Sequence, residues 1–258
     1  MLTWPDEPAA GVNSEFGVHW GRSAPGVLTV VVDGTVGSAD STPEALRALA
    51  RVGRSLTGDV QIVVIRIVGA ESETDGIRKV TEDHATLADE ACEAALNDLQ
   101  DAVRWLRRND LVSIAVLLGP VSGPGVQAAL ACDLRLLAAD GSLALTETVR
   151  GLVPALTGTG PLVDLIGVAR ATELCLTGRP VDAAEAERLG LVTRVVPAVD
   201  LPAVTAELVA GLLAVPRDAV VETKALLTGA PGRSRSDQEA AERAALARRL
   251  RDLADVGE

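Results

Sequence analysis

The chain has 258 residues, 48% of them hydrophobic but only 2% aromatic, and a formal net charge of -12. That length can bury a substantial core, which Ala, Val and Leu must build because there is no Tyr and only one Phe. The negative charge repels phosphate backbones and anionic lipid surfaces, and so few rings supply no base-stacking platform, so nucleic-acid and membrane-surface roles are set aside.

In chain order, the opening MLTWPDEPAAGVNSEF carries acids and prolines where a signal peptide would have a basic start and an apolar run. No stretch approaches the roughly 18 uninterrupted apolar residues of a membrane span. Residues 1–26, rich in Gly, Pro and polar groups, read as a loosely ordered extension. Val27 to Val32 is a continuous β-branched run and predicts a buried strand. Ser41-Thr42-Pro43-Glu44 opens a helix, because Ser41 or Thr42 can cap it and Pro43 suits a first turn. Val60 to Val68 predicts a second strand and Val112 to Leu118 a third. Between them lies a polar loop, GAESETDG, and a helix from about His84 to Arg108, with Leu87, Cys92, Ala95, Leu99, Val103 and Leu106 on one face. Apolar strands alternating with helices indicate βαβ crossovers and a parallel sheet. LRLLAAD and SLALTE then predict two more short strands, and from Thr157 onward the pattern is helical apart from LVTRVV at 191–196.

Three cysteines, Cys92, Cys132 and Cys175, are odd in number and widely spaced, without metal-site or disulfide patterns. They are expected to be free, buried thiols in a reducing, cytoplasmic setting. Ser122, His84 and Asp133 do not make a convincing hydrolase triad, because no Gly lies two before Ser122 and His84 sits in the acidic stretch TEDHATLADE. His19, beside Trp20, is expected to be a packing or surface residue. ARRLRDL near the end alternates basic residues with leucines and predicts an amphipathic helix at a subunit contact.

After the third strand comes GPVSGPGVQAALACD, in which Gly123, Pro124 and Gly125 lead straight into an apolar helix. Small residues at a helix start are how backbone amides are aimed at a ligand, yet Pro124 has no amide. With the later ALACDLRLLAADGSLALTETVRGLVP and LTGRPVDAAEAERLGLVTRVVP, residues 112–197 resemble the enoyl-CoA hydratase/isomerase, or crotonase, family. The resemblance implies an α/β crotonase-like (ClpP/crotonase) fold with a repeated β-β-α core in two sheets. On it the chain divides into the extension 1–26, a core 27–197 and a C-terminal helical oligomerisation region 198–258, assembled as a trimer or a dimer of trimers. The final RRLRDLADVGE is shorter than the closing stretch many members have. The implied partner is an acyl-CoA thioester, with coenzyme A entering as part of the substrate and no tightly bound cofactor or metal.

Carried over residue by residue, the resemblance puts Glu147 at the second of the family's two catalytic glutamates. Its neighbours Leu143, Leu145 and Val149 are expected to desolvate it and make it a useful acid/base. Gln127 takes the place of the first glutamate, and an amide cannot accept a proton near neutral pH. Pro124 replaces the glycine whose amide serves the thioester oxygen, and losing one such donor costs about 3 kcal/mol of transition-state stabilisation. Gly123 and Gly125 flank it, and Gly125 is the candidate to compensate. The other amide falls near Gly76, and Lys79 falls where a basic side chain meets the coenzyme A phosphates. The expectation is double-bond isomerisation, or related enolate chemistry, on one glutamate. The alternatives are an acyl-CoA-binding protein without turnover and a secondary-metabolism homologue with an altered site.

Overall fold

The computed structural model of the chain describes residues 12–33, 42–69 and 86–255. Seven strands form one mixed sheet: β1 (Asn13–Glu15), β2 (Val18–Ala24), β3 (Val27–Val32), β4 (Ile62–Val68), β5 (Val112–Leu118), β7 (Leu134–Ala138) and β10 (Arg194–Val196), in that spatial order. The run from β3 through β10 is parallel, and β1–β2–β3 is antiparallel. A second sheet of three short strands, β6 (Pro120–Ser122), β8 (Ser142–Ala144) and β9 (Val181–Asp182), stands at the ends of β5 and β7. Helices α1 (Thr42–Arg54) and α2 (Asp89–Arg104) supply crossovers, α3 (Gly123–Leu130) follows β6, and α4 (Thr159–Thr177) and α5 (Ala183–Leu189) bracket β9. Then come α6 (Leu201–Leu213), α7 (Arg217–Gly229) and α8 (Arg235–Asp255).

The period-two geometry of β4 explains why both faces of the large sheet are covered. Val63, Ile65 and Ile67 join Leu46 and Leu49 of α1 and Leu99 and Val103 of α2 in one core. Ile62 and Val64 join Ile114, Val116 and Leu136 in another, which Leu201 and Val209 of α6 close. The third strand spans the residues expected of it, and so does the first, because short runs dominated by Val, Ile and Leu suit a strand buried on both sides.

The expectation of a loose extension over 1–26 is overturned for residues 13–24, which form β1 and β2. Phe16 and Gly17, with φ of 49° and 75°, make the two-residue turn between them, and such positive-φ turns match strand twist. β2 buries Val18 and leaves the polar residues beyond it more open, so its average composition hides the strand. The long helix is also shorter than expected. It begins at Asp89, past the exposed Leu87, and ends at Arg104 in a tight turn over Trp105–Arg107, while His84 lies outside the described residues. Within SLALTE only Ser142–Ala144 is strand, and within LVTRVV only Arg194–Val196. The two leucines of ARRLRDL, Leu250 and Leu253, are exposed, as is Leu246 just before them, whereas Ala245 is buried. Among the described residues no single helix is long and apolar enough to cross a membrane.

Candidate functional site

The quoted turn sits where the two sheets meet. Gly69, at the end of β4, lies so close to β6 that a Cβ there would stand 1.9 Å from the Pro120 carbonyl oxygen. Only glycine allows that approach. The chain then passes from extended Ser122 (φ -143°, ψ 169°) into α3 through Gly123, whose φ is 47°. Pro124 occupies the first turn of the helix, where a missing N–H breaks no helical bond. Gly125 packs on the core, since a Cβ there would lie 2.9 Å from Val121 Cγ1 and 3.3 Å from Ile67 Cγ2.

One turn further along α3, Gln127 is only 2% exposed. Its Oε1 accepts a hydrogen bond from the Leu156 N–H at 2.7 Å, and its Nε2 donates to Glu147 Oε1 at 2.6 Å. The backbone N–H can only donate, so it fixes the amide orientation and leaves the NH2 end to the carboxylate. Glu147 is 4% exposed and stands just past β8, at the start of a tight turn over Thr148–Arg150. Its carbonyl accepts from Arg150 N and Leu152 N, each at 3.0 Å, and Gly151 (φ 76°) turns the chain back. The return segment brings Leu156 onto Gln127 and then presses Gly158 against it, where a Cβ would lie 2.9 Å from Gln127 Cγ.

Between these two contacts sits Thr157, with φ of 61°. A β-branched residue in the left-handed region is strained, and such strain persists only where surrounding contacts dictate it. Its Oγ1, like that of Thr146, is buried without a hydrogen-bond partner among the described residues. Thr146 Oγ1 and Glu147 Oε1 converge on the opening turn of α3: a Cβ built on Gly123 would be 3.7 Å from each. Val126, Leu130, Leu143 and Leu145, sequence neighbours of the pair, share an apolar cavity with Leu162 and Leu174. Val149, by contrast, is exposed and does not help enclose the carboxylate.

The sequence pattern had Gly123, Pro124, Gln127 and Glu147 as neighbours, a grouping in which the structure sets Gln127 against Glu147 and Glu147 beside Gly123. It missed Leu156, Thr157 and Gly158, whose part is played by backbone geometry, and Thr146, a hydroxyl beside a more conspicuous carboxylate. It also missed Cys175. Burial pushes that thiol's pKa up, and the negative charge of Glu147 raises it further; its helix, α4, packs against the Thr148–Arg150 turn. Cys132 is buried more deeply, its pKa pushed up to about 12 chiefly by desolvation. Gly76 and Lys79 lie outside the described residues, as does His84. Asp133 is held by Ser113 and Lys224 and serves no triad. Among the described residues no group of three or more His, Cys, Asp or Glu could hold a metal ion.

The site thus holds a buried carboxylate fixed by an amide, at the start of a tight turn and near an apolar layer. A family profile described as enoyl-CoA hydratase/isomerase matches residues 77–253. The chain belongs to this family. A Thermobifida fusca protein assigned as an enoyl-CoA hydratase, solved in complex with acetoacetyl-CoA, is 36% identical with a TM-score of 0.80, over 92% of this chain and 95% of that one. A further Thermobifida fusca enoyl-CoA hydratase structure gives a TM-score of 0.86 at 38% identity, over 93% of this chain and 95% of that one. Among curated relatives, the mouse mitochondrial enoyl-CoA hydratase domain-containing protein 2 is 46% identical over 84 residues, 33% of this chain and 28% of its own length. A Mycobacterium tuberculosis enoyl-CoA hydratase homologue is 45% identical over 89 residues, or 35% of its length. The chain thus matches only about a third of the curated relatives' length, while it aligns with the solved Thermobifida structures almost throughout. Together with the two sheets and the helical C-terminal part, these matches identify the fold as the crotonase fold.

Proposed function

We propose that this enoyl-CoA hydratase/isomerase family member is an enzyme that moves a double bond in an acyl-CoA thioester through an enolate, with Glu147 as the only acid/base. The observation that carries this reading is the Gln127–Glu147 pair: one buried carboxylate, held at 2.6 Å by a group that cannot take a proton. Hydration by paired carboxylates needs a second base, and the amide at 127 cannot supply it. Isomerisation needs one. Glu147 takes a proton from C2 of a 3-enoyl thioester, the electron pair shifts to the thioester oxygen as a dienolate, and the protonated Glu147 returns that proton to C4, leaving the 2-enoyl product. The Thermobifida relative's acetoacetyl-CoA complex supports a thioester ligand of this class.

In this reading the Gly76 amide serves the thioester oxygen and Lys79 meets the coenzyme A phosphates. The protein works in the cytoplasm as a trimer or a dimer of trimers, which light scattering tests. Pro124, which deletes a donor at the turn, favours a second reading, an acyl-CoA-binding protein without turnover. One experiment separates them. Purified protein is incubated with 2-enoyl-CoA and with 3-enoyl-CoA, with acyl-CoA binding measured in parallel, and then repeated with Glu147→Gln. Loss of 3-enoyl turnover in the variant supports isomerisation. Binding without turnover in the wild type removes the enzyme reading.

A further inference from the structure

We infer that Thr146 is a second polar contact to the reacting group: its hydroxyl donates a hydrogen bond to the oxygen on which negative charge develops. This rests on the enolate reading above and deepens it. Three observations on this chain lead to it. Pro124 removes a backbone donor from the first turn of α3, leaving the turn poorer in N–H groups than a helix start ordinarily is. Immediately beside that turn, Thr146 Oγ1 and Glu147 Oε1 stand equally near Gly123, each 3.7 Å from where a Cβ would be. And Thr146 Oγ1 is buried with no hydrogen-bond partner among the described residues.

The third observation gives the first two their force. A buried hydroxyl left unbonded destabilises the fold, and a fold that only needed the volume would keep a valine there. The cost is intelligible if a ligand oxygen completes the bond. Both the hydroxyl and the carboxylate lie near the Gly123 turn, where glycine leaves the side-chain position open. The proton stays on Thr146 throughout. The hydroxyl stabilises charge, while Glu147 carries the transferred proton. A hydroxyl so placed gives an oxyanion the donor that the proline withholds.

The test uses Thr146→Val, which keeps the shape and removes the O–H, and Thr146→Ser, which keeps the O–H. With 3-enoyl-CoA, Thr146→Val is expected to lower kcat by about 100-fold with KM within about threefold, since one lost oxyanion donor costs that much. Thr146→Ser is expected to retain most of kcat. A second readout does not need turnover: acetoacetyl-CoA enolises, and its near-ultraviolet enolate band on the wild-type protein should weaken in Thr146→Val and persist in Thr146→Ser. A third separates function from packing, because removing an unbonded buried hydroxyl should leave Tm unchanged or raise it. A valine variant with wild-type kcat and enolate band overturns the proposal, as does one whose losses track a lowered Tm. If the wild type turns over no enoyl-CoA but shows an enolate band that depends on the Thr146 hydroxyl, the isomerase reading fails and the donor stands. If it binds no acetoacetyl-CoA, both fail.

Discussion

Two buried polar clusters in this chain are built in opposite ways. Around Asp133, every hydrogen-bonding demand of the cation is met: Lys224 Nζ donates to Arg108 O at 2.7 Å, to Leu111 O at 2.8 Å and to Asp133 Oδ2 at 2.7 Å, using all three of its protons. The same carboxylate oxygen accepts from Ser113 N at 2.8 Å and Ser113 Oγ at 3.1 Å. In the segments that carry Glu147 and clamp Gln127, the hydroxyls of Thr146 and Thr157 go without partners among the described residues, and Thr157 holds a left-handed backbone. The first cluster is a staple that ties α7 to the loop before β5 and to the end of α3. The second is the site we propose. Complete satisfaction signals structure, whereas unmet polar groups beside backbone strain signal a place where something else must arrive.

The sharpest way to break this comparison is to remove a charge from each cluster and ask what is lost. Glu147→Gln should cost turnover of 3-enoyl-CoA by about 10⁴-fold, the upper range for a lost acid/base, with little change in Tm. Lys224→Met should do the reverse. Removing one partner of a buried ion pair strands the other, at about 3–5 kcal/mol, so thermal unfolding should shift down by roughly 10 °C while kcat, measured well below the transition, holds. If Glu147→Gln unfolds the protein or Lys224→Met abolishes turnover without lowering Tm, the division of labour is wrong.

How much of this was visible in the sequence follows from the same contrast. Gln127 and Glu147 lie beside motifs that carry the family resemblance, one after a small-residue turn and one at a strand end, and that resemblance ranks them as candidates. Lys224 lies 91 residues from Asp133, and no local pattern announces a pairing at that separation. Val27 to Val32 and Val112 to Leu118 read plainly because both faces are buried, so all but Thr29 and Ser113 are apolar. β2 did not, since only one of its faces needs apolar residues and Gly21 and Arg22 dilute the run. Leu156 acts through its N–H and Gly158 through its lack of a side chain, features that residue type alone does not reveal.

The clamp on Gln127 offers a finer test. In Gly158→Ala the new methyl would lie 2.9 Å from Gln127 Cγ and 3.3 Å from its Cα, and the backbone atom cannot swing aside. The amide must shift relative to Leu156 N–H and Glu147. A displaced proton carrier loses rate more than affinity, so kcat for 3-enoyl-CoA should fall about tenfold or more with a smaller change in KM. Gln127→Leu, which removes the amide altogether, should reproduce that split if the clamp works through Gln127. If Gly158→Ala is silent while Gln127→Leu is not, the return segment tolerates movement and its strain has another purpose.

The smallest expected effect concerns that strain. Thr157 carries two costs at once, a φ of 61° and a buried hydroxyl without a partner among the described residues. Thr157→Gly relieves both and adds the freedom of a glycine to the unfolded chain, which offsets part of the gain. The net expectation is stabilisation of about 1 kcal/mol, a rise in Tm of a few degrees by differential scanning calorimetry. The same change loosens the segment that carries Leu156 N–H to Gln127, so turnover of 3-enoyl-CoA should fall even as the fold gains. A variant that is less stable would mean that contacts around the threonine outweigh its backbone strain, and the argument from strain to function would lose its footing at this residue. A more stable variant with undiminished turnover would leave Leu156 and Gly158 as the working parts of the segment and Thr157 as a passenger between them.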